Sequence, residues 1–450
     1  MPEAVTELLA ETLAALRPED MPRDVLEATR RSVLDWLGSA LAGSLEPPAH
    51  MAQAVAAGFG ASDEATVFGS GRASAAAAAF ANGVASHILE MDDVHKGSTL
   101  HGAAPIIPAA LAVAEREHTG GRAFLLAVVA GYEAALRIGE AVNPSHYRFW
   151  HPTGTAGTFG AAASAAKLLR LDAARMRDAL GSAGTQAAGL WEFNADGSMS
   201  KHLHPGKAAM NGLLSADLAR AGFTGASKIL EGERGFMRAM SLEADASRIS
   251  DGLGTRWKIV ENCFKVHSCC GHTHTANDAA LALRGAGPLR SIHIEMYGPG
   301  FAIVKEMNPR TPYQAKFSVA YAVAAALREG RVGLEQFAAE RFGPEGVRDA
   351  GIAALLERTH VTVADDLTAR YPAAWPARVT VTLENGETRS AAADFPRGNP
   401  ENPVSTEALR YKFHALVAPR FGEDVAARAV KAIHALDACS DMAGAFAQIL

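Results

Sequence analysis

The sequence is poor in cysteine. Its four cysteines are Cys263, Cys269, Cys270 and Cys439, and two of them are adjacent in the chain. Neighbouring cysteines rarely pair with each other, and four in 450 residues do not make a disulfide framework. A secreted, disulfide-stabilised domain is therefore disfavoured, and we expect a reduced, cytoplasmic setting.

Basic stretches and long apolar stretches are also missing. Lys and Arg number 43 against 49 Asp and Glu, giving a net charge of -6, and no basic stripe of the kind that binds nucleic acid is present. Residues 1–22 predict an amphipathic helix without the basic start of a signal peptide. The apolar runs end well before bilayer length, so no membrane association is predicted. An anionic small molecule remains compatible, because local lysines can dominate inside a cleft.

Three common cofactor and nucleophile motifs are absent. No GxGxxG follows a predicted strand, the glycine-rich GTAGTFG lacks the GK[ST] ending of a P-loop, and no GxSxG is found. Histidines, lysines and carboxylates remain without a cofactor motif. That is the equipment of general acid–base chemistry, and we predict no cofactor.

The periodicity that is present predicts a mostly α fold in two domains. Apolar residues recur at helical spacing, with abundant alanine, up to about residue 250 and again in the C-terminal tail. Strand patterns occur in SIHIEMYGP, HVTVADDL and RVTVTLENGETRS, with helices predicted for KFSVAYAVAAALREG and GPEGVRDAGIAALLERTH. We therefore predict an all-helical domain from residues 1–257 and 405–450, and a smaller α+β domain from 258–404.

One loop between two predicted helices is unusually rich in charge. The sequence LEMDDVHKGSTLHG, residues 89–102, is followed directly by the apolar AAPIIPAALAVA. Loops on a rigid scaffold often carry function, although Asp92 or Asp93 could simply cap the next helix. The candidate site residues in it are Glu90, Asp92, Asp93, His95, Lys96 and His101.

Three further stretches place titratable side chains beside glycine or proline. They are HYRFWHPTGTAGTFGAAAS with His151, FNADGSMSKHLHPGKAAMNG with Lys201 and His204, and ENCFKVHSCCGHTHTANDAA with Lys265 and His274. The alternatives are a structural histidine at position 151 and solvated lysines in the second stretch. The third stretch also raises a metal site, but adjacent cysteines without a second ligand pair do not match structural zinc spacing. We predict no bound metal and a helix that begins near His274.

These motifs, in this order, resemble the MmgE/PrpD family, which includes 2-methylcitrate dehydratases, cis-aconitate decarboxylases and iminodisuccinate epimerases. The resemblance covers nearly the whole chain and rests on HILEMDDVHKGSTLHGAAPIIPAALA, HPTGTAGTFGAAASAAKLLRL, KHLHPGKAAMNG and FKVHSCCGHTHTANDAALAL, with NPRTPYQAKFSVAYAVAAAL weaker. The family's acidic motif usually reads DFDDT, whereas this chain has EMDDV. Glu90 thus replaces an aspartate and Val94 a threonine, and the loop after them is longer, which makes His95 and Lys96 candidate specificity residues.

The resemblance implies a homodimer, catalysis without metal or organic cofactor, and an active site between the two domains. Carried over residue by residue, it implies catalytic roles for His101, His151, Lys201 and His274. Asp93 is expected to orient a histidine or lysine. The candidates for substrate binding are Glu90, Asp92, His95, Lys96, His204 and Lys265.

The predicted activity is that of a lyase acting on a small di- or tricarboxylate. A 2-methylcitrate dehydratase-like reaction comes first, with His101 and His151 as acid and base and Lys201 holding a carboxylate. The alternatives are a cis-aconitate decarboxylase-like lyase and an iminodisuccinate epimerase-like isomerase. Outside catalysis, the alternatives are a relative that binds a carboxylate without turnover and a metal-binding protein.

Overall fold

In a computed structural model, residues 4–447 are described, and they form two compact units of contacting residues. The first unit runs up to Ile88 and includes Asp92–Asn262 and the chain from Ser405 onward. The second unit contains Leu89–Met91 and Cys263–Val404. Among residues 4–447, no helix combines the length and apolar character needed to cross a lipid bilayer.

The first unit is built mainly of helices. Up to residue 262 these are α1 (Val5–Ala15), α2 (Arg23–Gly43), α3 (Pro47–Ala57), α4 (Ala75–His87), α5 (Ala103–Arg116), α6 (Gly121–Val142), α7 (Ala156–Leu168), α8 (Ala173–Gly184), α9 (Phe193–Asp196), α10 (Ser200–Arg220), α11 (Phe236–Met240) and α12 (Ser247–Ser250). Short 3-10 turns occupy Pro18–Asp20, His146–Arg148 and Lys258–Glu261. One hairpin, β1 (Ala65–Val67) with β2 (Gly71–Ala73), interrupts the predicted all-helical pattern.

The second unit mixes helices and strands. Its elements are α13 (His274–Ala282), β3 (Leu289–Met296), α14 (Gly298–Val304), α15 (Pro312–Lys316), α16 (Val319–Glu329), β4 (Phe342–Gly343), β5 (Gly346–Val347), α17 (Ala350–Glu357), β6 (Thr359–Val363), α18 (Asp365–Thr368), β7 (Ala377–Leu383) and β8 (Thr388–Ala393). Its 3-10 turns are Gly271–Thr273, Leu334–Phe337 and Ala339–Arg341.

The C-terminal tail returns to the first unit as helices. It contains α19 (Thr406–Phe421), α20 (Glu423–His434), a 3-10 turn at Leu436–Ala438, and α21 (Met442–Ala447). Helix α19 packs on α2, and Lys412 Nζ of α19 donates to Asp35 Oδ1 of α2 at 2.5 Å. The prediction that both chain ends build the helical part is thus confirmed.

Small residues let the helices of the first unit approach closely. Helix α4 crosses α10 where Gly83 meets Gly206, and a Cβ added at Gly83 would lie only 2.8 Å from the Cα of Gly206. No residue with a side chain fits at such a crossing. The close approach brings the C-terminal end of α4 beside the first turns of α10, where His87 and Lys201 lie.

The second unit is organised around a four-stranded sheet in the order β6-β3-β7-β8. Strands β3 and β6 are parallel, and the other neighbours are antiparallel. In β7, alternate residues are buried, and Val379 and Val381 join the core formed with α13 and α16. The strands predicted in SIHIEMYGP and HVTVADDL and the helix predicted over α16 are confirmed.

Two predicted elements of the second unit differ in the structure. RVTVTLENGETRS is not one strand but the hairpin β7–β8, whose turn uses Gly386 at φ +88°. The helix predicted from residue 343 begins only at Ala350, because the Asp349 side chain accepts a hydrogen bond from the Ile352 amide and caps it there. The residues before it pair as β4 and β5.

Candidate active site

The C-terminal end of α4, the loop after it and the start of α10 form a buried group of histidines. His87 Nδ1 lies 2.7 Å from Asp92 Oδ2, and His101 Nδ1 lies 3.3 Å from the same oxygen. His151 Nδ1 lies 3.0 Å from His204 Nδ1. The rings of His87 and His151 stack with centroids 5.6 Å apart. We call the following set the histidine cluster: His87, Asp92, His101, His151, Lys201 and His204.

Burial sets the protonation states in the histidine cluster. It lowers the pKa of His87 to about 4 and that of His204 to about 3, and it holds the pKa of His151 well below its usual range. Burial acts to raise the pKa of Asp92, but the neighbouring His87 and His101 outweigh this and hold it well below the ordinary value. At neutral pH the imidazoles of His87, His151 and His204 are therefore neutral, and the Asp92 carboxylate is an anion.

Lys201 supplies the positive charge of the cluster. It lies in the first turn of α10 and is 2% exposed. After burial itself, its charge is among the causes that lower the pKa of His87, His151 and His204. The alternative of a solvated Lys201 is therefore excluded for this structure. Lys207, on the same helix, donates to the main-chain oxygens of Gln186 and Ala188.

Asp93 holds the loop in place with its side chain. Its carboxylate accepts from the Ala103 amide at the start of α5 (3.0 Å), from Tyr132 Oη (2.5 Å) and from Asn262 Nδ2 (2.7 Å). Its main-chain oxygen lies 2.6 Å from His101 Nδ1. Burial raises the pKa of the Asp93 carboxyl. The side chain of Asp92, rather than that of Asp93, contacts the histidines.

A second buried group in the first unit involves His95. Its Nδ1 lies 2.9 Å from Ser98 Oγ, and its Nε2 lies 3.7 Å from Glu140 and 3.5 Å from Glu261. Lys258 Nζ, 2% exposed, lies 2.8 Å from Glu140 and 3.0 Å from Glu261. We call His95, Glu140, Lys258 and Glu261 the ion-pair cluster. Ser98 and the two carboxylates together engage both nitrogens of His95, and Lys96 beside it is half-buried.

In the second unit, Lys265 and Glu90 form a buried ion pair. Lys265 Nζ lies 2.8 Å from Glu90 Oε2, and each side chain is 1% exposed. Glu90 adopts φ 56°, a left-handed conformation that is unfavourable for residues other than glycine. Lys316 Nζ and Ser268 Oγ both donate to the main-chain oxygen of Leu89, at 3.0 and 2.8 Å. The Leu89–Met91 segment is thereby fixed to this unit.

The remaining predicted histidine, His274, begins α13 in the second unit. Its Nε2 lies 3.2 Å from the main-chain oxygen of Cys269, and its ring packs edge-on against His267. Asp278, four residues after His274 on α13, lies 2.9 Å from His267 Nε2. His274 is buried, and a helix does begin there as predicted.

Cys269 in this stretch does not present a thiolate. Cys269 is buried, and burial raises the pKa of its thiol to about 12. Its Sγ lies 3.0 Å from Thr273 Oγ1. Because the thiolate is the zinc ligand, these surroundings do not favour the metal site considered for residues 267–274.

The structure thus gathers part of the predicted set in one place. Asp92, His101, His151, Lys201 and His204 lie in the histidine cluster, whereas Glu90, Lys265 and His274 lie in the second unit. Sequence reasoning missed His87, which ends the alanine-rich helix α4 only five positions before Asp92. It also missed Tyr132 and Asn262, which meet Asp93 only through the folded chain.

Fold and cluster together define a mainly helical protein that holds neutral imidazoles beside a buried carboxylate and a buried ammonium group. The chain belongs to the MmgE/PrpD family: residues 7–249 match the family's N-terminal domain and residues 267–438 its C-terminal domain.

Named relatives cover almost the whole chain. A cis-aconitate decarboxylase-like protein of Aspergillus oryzae is 28% identical over 99% of this chain and 97% of its own length. The cis-aconitate decarboxylase of Aspergillus terreus is 27% identical over 92% of this chain and 89% of its own. The cis-aconitate decarboxylase of Homo sapiens is 27% identical over 98% of this chain and 93% of its own length.

Proposed function

We propose that this protein is a lyase that decarboxylates cis-aconitate or a closely similar tricarboxylate. The observation that carries the proposal is the histidine cluster, a buried set of imidazoles with one carboxylate and one ammonium group. The similarity to cis-aconitate decarboxylases over nearly the whole chain favours this reaction over the 2-methylcitrate dehydration that the sequence analysis placed first.

The reaction needs no redox partner. The bond between the substrate skeleton and one carboxylate breaks, its electron pair stays on the skeleton, and CO2 leaves. A proton then joins carbon, so one acid must be placed in the site. Itaconate is the product when cis-aconitate loses CO2 and gains that proton.

His101 is our choice for the proton donor. Its Nδ1 lies 2.6 Å from the main-chain oxygen of Asp93 and 3.3 Å from the Asp92 carboxylate, so both acceptors favour a proton there and can hold an imidazolium. In this arrangement Asp92 takes the orienting role that the sequence analysis gave to Asp93.

His151 and Lys201 serve the anionic substrate in this proposal. A neutral imidazole donates a hydrogen bond without adding charge, and the buried Lys201 ammonium pairs with a substrate carboxylate. His274, in the second unit, stays a candidate catalytic residue on the strength of the family resemblance. Glu90 and Lys265, in the same unit, stay candidates for substrate binding. The homodimer also stays a prediction, to be tested by sedimentation equilibrium.

Dehydration and epimerisation make different demands on the same groups. Dehydration requires a base for carbon and an acid for the leaving hydroxyl, and epimerisation requires acid and base on opposite faces of one carbon. Neither is favoured by the named relatives.

Proton NMR in D2O tests the proposal. The purified protein is incubated separately with cis-aconitate, 2-methylcitrate, citrate and iminodisuccinate. We expect itaconate carrying one solvent deuterium from cis-aconitate, and no turnover of the other three. Loss of water from 2-methylcitrate, or deuterium exchange of iminodisuccinate, would replace the decarboxylase assignment with the corresponding alternative.

A further inference from the structure

We propose that His87, His101 and His151 form a binding site for one divalent transition-metal ion, Zn²⁺ or Co²⁺, held by the Nε2 atom of each ring. The ion is not a cofactor in this proposal. It competes for the imidazoles and switches the site off.

The three rings are already close enough to share an ion. One ring nitrogen from each of His87, His101 and His151 lies within 4.8 Å of the other two. The ring centroid of His87 lies 4.6 Å from that of His101 and 5.6 Å from that of His151. In a tetrahedral site with bonds near 2.0–2.1 Å, ligand nitrogens lie about 3.4 Å apart, so binding requires the rings to move closer together.

The other nitrogen of each ring already has a partner. His87 Nδ1 contacts the Asp92 carboxylate, His101 Nδ1 the main-chain oxygen of Asp93, and His151 Nδ1 the ring of His204. When Nδ1 carries the proton, Nε2 carries the lone pair. Metal-binding histidines typically donate their second N–H to a carboxylate or a carbonyl in this way.

Two of the three Nε2 atoms make no hydrogen bond among residues 4–447. The Nε2 atoms of His87 and His151 are buried and have no hydrogen-bond partner within the part of the chain that the structure describes. A buried polar atom without a partner is costly, and a bound ion would offset that cost at both atoms. Three protein nitrogens leave a fourth position for water or a substrate carboxylate.

The local charges favour an ion only in part. The anionic Asp92 supplies negative charge directly behind two of the rings, whereas the Lys201 ammonium opposes a second cation. The ion-pair cluster also offers one histidine and two carboxylates, but Lys258 Nζ already occupies those oxygens at 2.8–3.0 Å. The histidine cluster is therefore the stronger metal site.

Cobalt titration tests the proposal on the full-length protein after chelator treatment. We expect one Co²⁺ per chain, with visible absorption bands typical of four- or five-coordinate cobalt that disappear when Zn²⁺ is added. The His87→Asn variant should lose these bands and bind at least about 100-fold more weakly. Absence of the bands in the wild-type protein would overturn the proposal.

Two further variants keep the test decisive. His151→Asn provides a second ligand deletion if His87→Asn does not fold by circular dichroism. The control is the double variant His293→Asn/His360→Asn, which removes a histidine pair in register on the surface of the second unit's sheet and should keep the bands. Bands that survive both ligand deletions, or that vanish in the control, would place the ion elsewhere and refute the site.

The inhibitory consequence rests on the proposed function, whereas the binding does not. If the decarboxylase assignment holds, stoichiometric Zn²⁺ should abolish itaconate formation and a chelator should restore it. If no decarboxylation is found, the cobalt spectrum still decides whether the three histidines bind metal.

Discussion

The histidine cluster and the ion-pair cluster both belong to the first unit, and both include a histidine from the loop after α4. The histidine cluster is buried, whereas Glu140 and Glu261 of the ion-pair cluster are partly exposed. In the ion-pair cluster, Lys258 lies between two carboxylates and both nitrogens of His95 are engaged. In the histidine cluster, the Nε2 atoms of His87 and His151 are buried without a partner among residues 4–447. Paired polar side chains stabilise a fold, whereas buried polar atoms without a hydrogen-bond partner are available to bind a ligand.

The largest expected effect is on activity, from the histidine cluster. His101→Asn removes the proposed proton donor and keeps the hydrogen bond at the Nδ1 position. We expect kcat for cis-aconitate to fall about 10²–10⁴-fold, with circular dichroism and thermal stability close to wild type. Steady-state kinetics measure this, and unchanged kcat would remove His101 from the site.

The next effect is on stability, from the ion-pair cluster. Lys258→Met leaves Glu140 and Glu261 facing each other without a cation. We expect the free energy of unfolding to fall by about 3 kcal/mol, at the lower end for a broken buried pair because Glu261 is partly exposed. Urea denaturation measures it. A urea midpoint of Lys258→Met equal to that of the wild-type protein would show that these ion pairs contribute nothing to stability.

A smaller effect is expected on the pH dependence of stability, which differs between the two clusters. Burial lowers the pKa of His87 from 6.5 to about 4, so the unfolded chain binds more protons between those values and stability falls as the pH drops through that window. Burial acts to raise the pKa of Glu261, but His95 and Lys258 outweigh it and lower the pKa from 4.5 to about 2. The contribution of Glu261 is therefore present above pH 4.5 and lost only below it.

Urea denaturation at pH 7 and pH 5 measures this difference. His87→Asn should lose less stability than wild type between these two pH values, whereas Glu261→Gln should retain the wild-type difference. The opposite ranking would contradict the assignment of a neutral His87.

The smallest effect is expected from His95→Asn, the matched substitution in the same loop. Its ring lies among Ser98, Glu140 and Glu261, so we expect kcat/KM to change by less than about threefold. Stability should fall by about 1 kcal/mol from the lost hydrogen bond. A large change in substrate preference would instead support the specificity role that the sequence analysis gave to His95.

The sequence predicted the architecture and most of the candidate site for identifiable reasons. Helical periodicity and strand alternation depend on neighbouring residues, so the helices and β3, β6 and β7 were predictable. The β7–β8 turn also had a local signal, the Asn385-Gly386 dipeptide, which typically forms tight hairpins. Histidines and lysines beside glycine or proline led to His101, His151, Lys201 and His204.

The features that the sequence did not predict depend on contacts between residues that are distant along the chain. Asp92 and Asp93 are adjacent, and only the folded loop shows that Asp93 binds Tyr132 and Asn262 while Asp92 contacts the histidines. His87 lies in an alanine-rich helix, where nothing local distinguishes a structural histidine from a functional one. His95 contacts Glu261, which lies more than 160 positions away in the chain.

The most direct test is a proton NMR time course of cis-aconitate in D2O with three proteins: wild type, His101→Asn and His95→Asn. We predict singly deuterated itaconate from wild type and from His95→Asn, and unreacted cis-aconitate with folded His101→Asn. Itaconate formed by His101→Asn at the wild-type rate, or lost in His95→Asn alone, would contradict the assignment of proton transfer to the histidine cluster.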